Sequence, residues 1–237
     1  MSILFQQLHE DEGSALAYLL ADPLTGDAVL IDTVVEHVAH YINLLSELDL
    51  ELVCLLETHA HGDYASAAEV MRDHTGARIA TSRGAAIHWS DQQLDDGDTI
   101  VFGNEVIRVI ATPGHTPDCI SFRWRDRVFT GDSLLIGGCG RTDFPGGDAG
   151  TLYDSITQRL FTLPDDTLVY PAHDYRQLRV SSIAQEKATN ARIAGRSRAE
   201  FIATMDSLRL PQLRSPDPGD SDRRRARFDD LLDVHAS

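Results

Sequence analysis

A chain of 237 residues, 42% hydrophobic and 24% charged, is long enough to bury a proper core as one domain, alone or with a terminal appendage. Its formal net charge of −16 offers no basic field to replace phosphate counterions, so nucleic acid is not expected as a partner and small molecules are. No run approaches the roughly 18 apolar residues of a membrane span, and the opening "MSILFQQLHEDEGSA" turns acidic too soon for a signal peptide, so a cytoplasmic protein with no membrane partner is expected.

In chain order, "SALAYLLAD" and "DAVLIDT" read as two strands joined by the turn "PLTG", a hairpin that opens the fold. Residues 34 to 49 place Val38, Tyr41, Ile42, Leu45 and Leu48 three or four apart, the spacing of an amphipathic helix. "LELVCLLET" returns to strand, with Cys54 packed as a small hydrophobe. "ASAAEVMRDHTG" reads as a helix stopped at Gly76, and "ARIATS" as the next strand. Hairpins are expected around "GNE" within residues 99 to 111 and around "RDR" in "CISFRWRDRVFTGD". Residues 151 to 163 are expected to be helical, "DTLVYPAHD" to be the final strand, and residues 181 to 208 to hold two helices broken at Gly195. From Ser215 the Pro/Asp/Gly-rich stretch reads as a linker into a short helical or flexible end. The expected division is one domain over residues 1–214 and a C-terminal extension over 215–237. Cys54, Cys119 and Cys139 are too few and too scattered for a disulfide framework, which fits a reducing compartment.

Position, more than composition, points to chemistry. Four apolar runs each end in residues able to bind a metal: "LVCLLETHAHGD", "IRVIATPGHTPD", "RVFTGDS" and "TLVYPAHDY". His59, His61 and Asp63, then His115, Asp132 and His173, follow strands at once, so loops at one edge of a sheet should converge on an ion. His9, His37, His40, His74, His88 and His235 lack that context and read as ordinary surface or core residues. Gly114 before His115 and Gly131 before Asp132 permit tight turns or close approach, and Pro113 and Pro117 stiffen the first turn.

With these residues in hand, the chain resembles the metallo-β-lactamase superfamily over residues 3 to 180, a mixed α/β (α+β) fold built as an αββα sandwich. Thr58, His59, His61 and Asp63 match its Thr-His-x-His-x-Asp-His motif, and His115, Asp132 and His173 match its distant ligands. "GCGRTDF" at 138 to 144, "TLYDSITQRLFTLPDDTLVYPAHDY" at 151 to 175 and "VSSIAQEKATNAR" at 180 to 192 resemble the persulfide dioxygenase branch more narrowly. That resemblance implies one iron(II) per chain, held by His59, His115 and Asp132, and oxidation of glutathione persulfide by O2 to sulfite and glutathione. Two imidazoles and one carboxylate on one face of an octahedron leave three positions for substrate and O2, which suits iron(II), although the residue types alone also admit zinc.

The resemblance further implies that Arg141, Tyr175 and Arg192 line the substrate pocket, with Arg141, Tyr175 and His173 serving the reaction and Cys139 near the substrate. His61, Asp63 and His173 are then close to the iron without coordinating it, and Asp174 braces its loop. Dinuclear hydrolases of the superfamily carry a histidine after the motif aspartate. Here that residue is Tyr64, and a neutral phenol with a reference pKa near 10 is a poor substitute for imidazole, which favours one metal over two. Ala67 stands where the family usually has glycine, and "NAR" at 190 to 192 where it has Asn-Pro-Arg. Dimers are common in the family, so a homodimer is allowed for. Two alternatives stay open: a glyoxalase II-like thioester hydrolase with two metals, and a non-catalytic metal- or thiol-binding protein.

Overall fold

The computed structural model describes residues 4–9, 14–61, 65–85, 87 and 89–209. Asp63, Tyr64, His88, His235 and the 215–237 extension lie outside the described residues, as does the side chain of His9.

The first half builds a six-stranded sheet in the order β1-β2-β3-β4-β5-β6. Its strands are β1 (Leu4–His9), β2 (Leu16–Ala21), β3 (Asp27–Ile31), β4 (Glu51–Leu56), β5 (Arg78–Ser82) and β6 (Gln92–Leu94). The predicted hairpin is β2 and β3, but it does not open the fold: β1 precedes it and pairs antiparallel with β2 along its whole length. From β3 onward the pairing is parallel, with helix α1 (Val38–Glu47) and helix α2 (Ala68–Thr75) as crossovers. The α1 residues predicted to face inward do so, Val38, Tyr41 and Leu45 being buried. Helix α2 stops as expected at Gly76, whose φ of 74° is the left-handed conformation that glycine adopts without strain.

A second six-stranded sheet follows, in the order β12-β11-β10-β9-β8-β7. Strands β7 (Thr99–Phe102) and β8 (Glu105–Ala111) form the hairpin around "GNE", and β9 (Ile120–Trp124) and β10 (Arg127–Gly131) the one around "RDR". Strand β11 (Leu168–Pro171) runs parallel to β10. It is not the last strand, because β12 (Ser181–Ser182) pairs with it. Helix α3 (Ala149–Ser155) runs into a π-helical turn (Ile156–Leu160), and α4 (Ile183–Thr189) and α5 (Arg198–Ser207) are the two predicted C-terminal helices. Gly195 lies between them at a φ of 69°.

Alternation along the strands creates the layers. In β2, Leu16, Tyr18 and Leu20 face the second sheet and meet Phe122, Trp124 and Phe129, while Ala17, Leu19 and Ala21 face α1 and α2. The outer face of the second sheet packs Val128 and Val169 against Leu152, Ile183 and Phe201 from the helices. Helices, sheet, sheet, helices is the αββα sandwich. Trp124, Tyr18 and Phe129 are fully buried between the sheets, and each such side chain contributes roughly 1.5–3 kcal/mol relative to exposure. This rigid centre fixes the strand ends from which the site is built.

Candidate metal centre

The four predicted ligand-bearing strands are β4, β8, β10 and β11, and their C-terminal loops meet at one end of the sandwich. They do not share a sheet: His59 follows a strand of the first, whereas His115, Asp132 and His173 follow strands of the second. Main-chain bonds lock the two sets together. The Ile120 N–H donates to the Thr58 carbonyl at 2.8 Å, and the Ala60 N–H to Asp118 Oδ2 at 2.8 Å. The two glycines act as expected. Gly131 has a φ of 54°, and a β-carbon on it would stand 2.6 Å from Thr58 Oγ1.

Donor and acceptor capacity settles which atoms point inward. Thr58 Oγ1 gives its one hydrogen to Asp32 Oδ2 at 2.9 Å, so it accepts from His59 Nδ1 at 3.0 Å. His59 therefore keeps its lone pair on Nε2. His115 Nδ1 lies 2.7 Å from the Arg141 carbonyl, which can only accept, so His115 donates from Nδ1 and turns Nε2 toward Asp132. Asp132 Oδ1 accepts from His173 Nδ1 at 2.7 Å, leaving Oδ2 facing His115 Nε2 at 3.7 Å.

One ligand atom each from His59, His115 and Asp132 lies within 4.8 Å of the other two, and all three residues are buried. Burial, then the charge of His61, presses the His59 pKa down to about 3, which keeps its imidazole neutral. For Asp132 burial pushes the other way, but the charge and hydrogen bond of His173 outweigh it and hold the carboxyl well below the usual carboxylate range. Two imidazole nitrogens and one anionic oxygen, turned toward one another and away from other hydrogen-bond partners, fit a divalent cation.

A second group, Asp32, Glu57 and His61, gathers beside the first. His61 Nε2 stands 3.3 Å from Asp32 Oδ1 and 3.1 Å from Glu57 Oε2. Burial opposes protonation of His61, yet the hydrogen bonds to Asp32 and Glu57 prevail and push its pKa up to about 10. Ser66 Oγ donates to the other carboxylate oxygen of Glu57, Oε1, at 2.7 Å.

Above the first group opens a cavity of about 480 Å³, lined by His59, His115, Asp132, His173 and Tyr175, by Gly137 to Arg141, and by Arg176, Arg192, Met205 and Leu208. Tyr175 is 70% exposed and its ring stacks on His173 at a centroid distance of 5.7 Å. Burial pushes the Cys139 thiol up to about 12, so it faces the cavity as a neutral group.

Known proteins share this fold and much of this sequence. The metallo-beta-lactamase superfamily model matches residues 11–173. The mitochondrial persulfide dioxygenase ETHE1 of Bos taurus is 42% identical over 215 residues, spanning 89% of this chain and 83% of that protein. Its Homo sapiens counterpart is 41% identical over 213 residues, with the same shares of the two chains, 89% and 83%. The crystal structure of ETHE1 from Myxococcus xanthus has a TM-score of 0.89 at 47% identity, covering 94% of this chain and 99% of that one. The chain belongs to the persulfide dioxygenase family of the metallo-beta-lactamase superfamily.

Against the family's motifs, the structure brings together nearly every residue singled out in the sequence and described. His59, His115 and Asp132 converge, His173 sits behind Asp132, and Cys139, Arg141, Tyr175 and Arg192 line the cavity. His61 turns toward Asp32 and Glu57. Asp174 braces its loop by accepting the N–H groups of Arg176 at 3.0 Å and Arg179 at 2.6 Å. Ala67 is buried with an ordinary right-handed φ of −81°, so the methyl group in place of glycine is accommodated. Asp63 and Tyr64 lie outside the described residues. Sequence reasoning missed Asp32, Glu57 and Arg176. Asp32 ends the apolar run "AVLID" and obeys the same strand-end rule as the ligands; Arg176 adjoins Tyr175 in "HDYRQ".

Proposed function

We propose that this protein is a persulfide dioxygenase that converts glutathione persulfide, O2 and water into glutathione and sulfite, releasing two protons. The observation that carries this reading is the convergence of two imidazole nitrogens and one carboxylate oxygen in the lining of a cavity in a chain of this family. Bound by His59, His115 and Asp132, one iron(II) would supply the redox chemistry toward O2 and leave positions open for the substrate.

The remaining roles belong to side chains. His173 holds Asp132 by its Nδ1–H, fixing which carboxylate oxygen faces the ion. Thr58 and the Arg141 carbonyl do the same for the two imidazoles. The ring of Tyr175 lies parallel to that of His173 and lines the cavity. Arg141, Arg192 and Cys139 complete the wall against which the thiol lies. His61, Asp63 and Tyr64 stay outside the coordination set, so that one ion per chain suffices. Residues 1–214 form the catalytic domain and 215–237 an appendage to it. A reducing compartment such as the cytoplasm suits the chain's three free cysteines.

The test is to load the protein with iron(II) under anaerobic conditions, add glutathione persulfide, and follow O2 uptake and sulfite release after admitting air. Equimolar O2 consumption and sulfite formation are expected. Zinc-loaded protein that cleaves a glutathione thioester without O2, while the iron form stays inert, would overturn the reading in favour of a hydrolase.

A further inference from the structure

Three arginines line the cavity, and they are not equivalent. Arg141 sets its fork on Asp143, with Nε to Oδ1 at 2.6 Å and Nη2 to Oδ2 at 2.7 Å. Its guanidinium also lies 5.0 Å from the centre of the Phe144 ring, and its carbonyl receives His115. Both ends of Arg141 are engaged in holding the loop that holds the ligand. Arg176 and Arg192, in contrast, have no carboxylate partner among the described residues.

The backbone presents Arg176 deliberately. Asp174 uses both carboxylate oxygens on the N–H groups of Arg176 and Arg179, so it is occupied with shaping the loop. Gln177 and Arg179 take φ values of 55° and 67°, conformations that residues with side chains rarely adopt and that a loop keeps only when its surroundings impose them. The Arg176 guanidinium then lies across Gly137, where a β-carbon would stand 2.9 Å from Nη1. Leu135, Ile136, Met205 and Leu208 make the apolar part of the lining.

We propose that Arg176, with Arg192, forms the carboxylate-binding pair of this cavity and selects thiols that carry two carboxylates. The identity of the thiol rests on the persulfide dioxygenase reading; the charge arrangement does not. A protein of net charge −16 disfavours carboxylates except where unneutralised cations face them. Two guanidinium forks with no competing acid match two carboxylates, each able to accept paired, charge-assisted hydrogen bonds.

Calorimetric titration of the metal-loaded protein with glutathione, and with its diethyl ester that lacks both carboxylates, tests the assignment. Arg176→Gln should weaken glutathione binding about tenfold and leave the weaker binding of the ester unchanged, as expected for loss of one hydrogen bond to a charged group. Arg176→Lys, which keeps the charge but not the fork, should fall between. In turnover the loss should fall on KM rather than kcat. Equal losses for glutathione and its ester would mark Arg176 as a structural residue, and no loss would assign the carboxylates to other groups; either result overturns the proposal. Because thiol binding is read without turnover, failure of O2 uptake would sink the dioxygenase reading while leaving this result intact.

Discussion

Gly140 shapes the metal centre although it offers no ligand. Its N–H donates to the Asp132 carbonyl at 2.7 Å, and a β-carbon on it would stand 2.4 Å from that oxygen and 2.8 Å from His115 Nδ1. No positive φ is involved, so the constraint is space alone. A methyl group must push either Asp132 or His115, and the His115 ring is already fixed by the Arg141 carbonyl. Gly140→Ala should therefore lower metal affinity by roughly ten- to a hundredfold, the range for disturbing groups that orient ligands. Metal content after gel filtration, measured by elemental analysis, checks this. Gly138→Ala is the matched control, because its β-carbon would meet nothing within 4 Å and content should hold. Equal metal content in both variants would show that the site yields without cost.

At the scale of elements, strands with an apolar alternation and a sharp stop were legible in the sequence, whereas strands held by their neighbours were not. Strand β1, "LFQQLH", carries two glutamines, and β6 is only "QQL"; both exist because an adjacent strand supplies their partners. The same blindness explains why one sheet edge was expected where two sheets meet, since a sequence shows that a strand ends but not in which layer it lies. Asp32 and Glu57 escaped notice for a related reason: their importance comes from His61 reaching them, a contact that spans 29 residues for Asp32. Helix α3 shows how an element positions a ligand. Both of its ends hold the loop before His115, with the Asp148 N–H at the N-cap donating to the Gly114 carbonyl and Ser155 Oγ in the last turn to the Pro113 carbonyl at 2.7 Å. Gly114 has a φ of 137°, and a β-carbon there would stand 2.4 Å from the Leu152 backbone. Gly114→Ala should cost about 3 kcal/mol or more from strain and overlap together, lowering the unfolding midpoint by roughly 10 °C in a chain of this size. Differential scanning calorimetry reads that shift, and an unchanged midpoint would mean that α3 moves away freely.

For the molecule as a whole, the site's charge arrangement appears as a dependence of stability on pH. His59 has a folded pKa of about 3, set by burial and then by the charge of His61, against an unfolded value near 6.5. A depressed histidine contributes stability that is present above its unfolded pKa and is lost as pH falls toward the folded one. Between those limits the unfolded chain takes up a proton that the folded chain refuses. His61 has the opposite sign: with a folded pKa of about 10 its contribution is complete below the unfolded value and fades as pH rises through the folded one, so it does not offset the acid-side loss. The acidic surface also changes charge on acidification, and that complicates any single profile, but it does so almost equally in a variant that lacks only His59. The informative quantity is thus the difference between metal-free wild type and metal-free His59→Gln. From pH 7 to pH 4.5 the wild type should lose about 2–3 kcal/mol relative to the variant, equivalent to roughly 5–10 °C in the unfolding midpoint. Thermal unfolding followed by circular dichroism at intervals across that range measures it directly. A difference that stays constant would show that His59 binds its proton as readily in the folded protein as in the unfolded chain, and that the imidazole is not held ready for a cation.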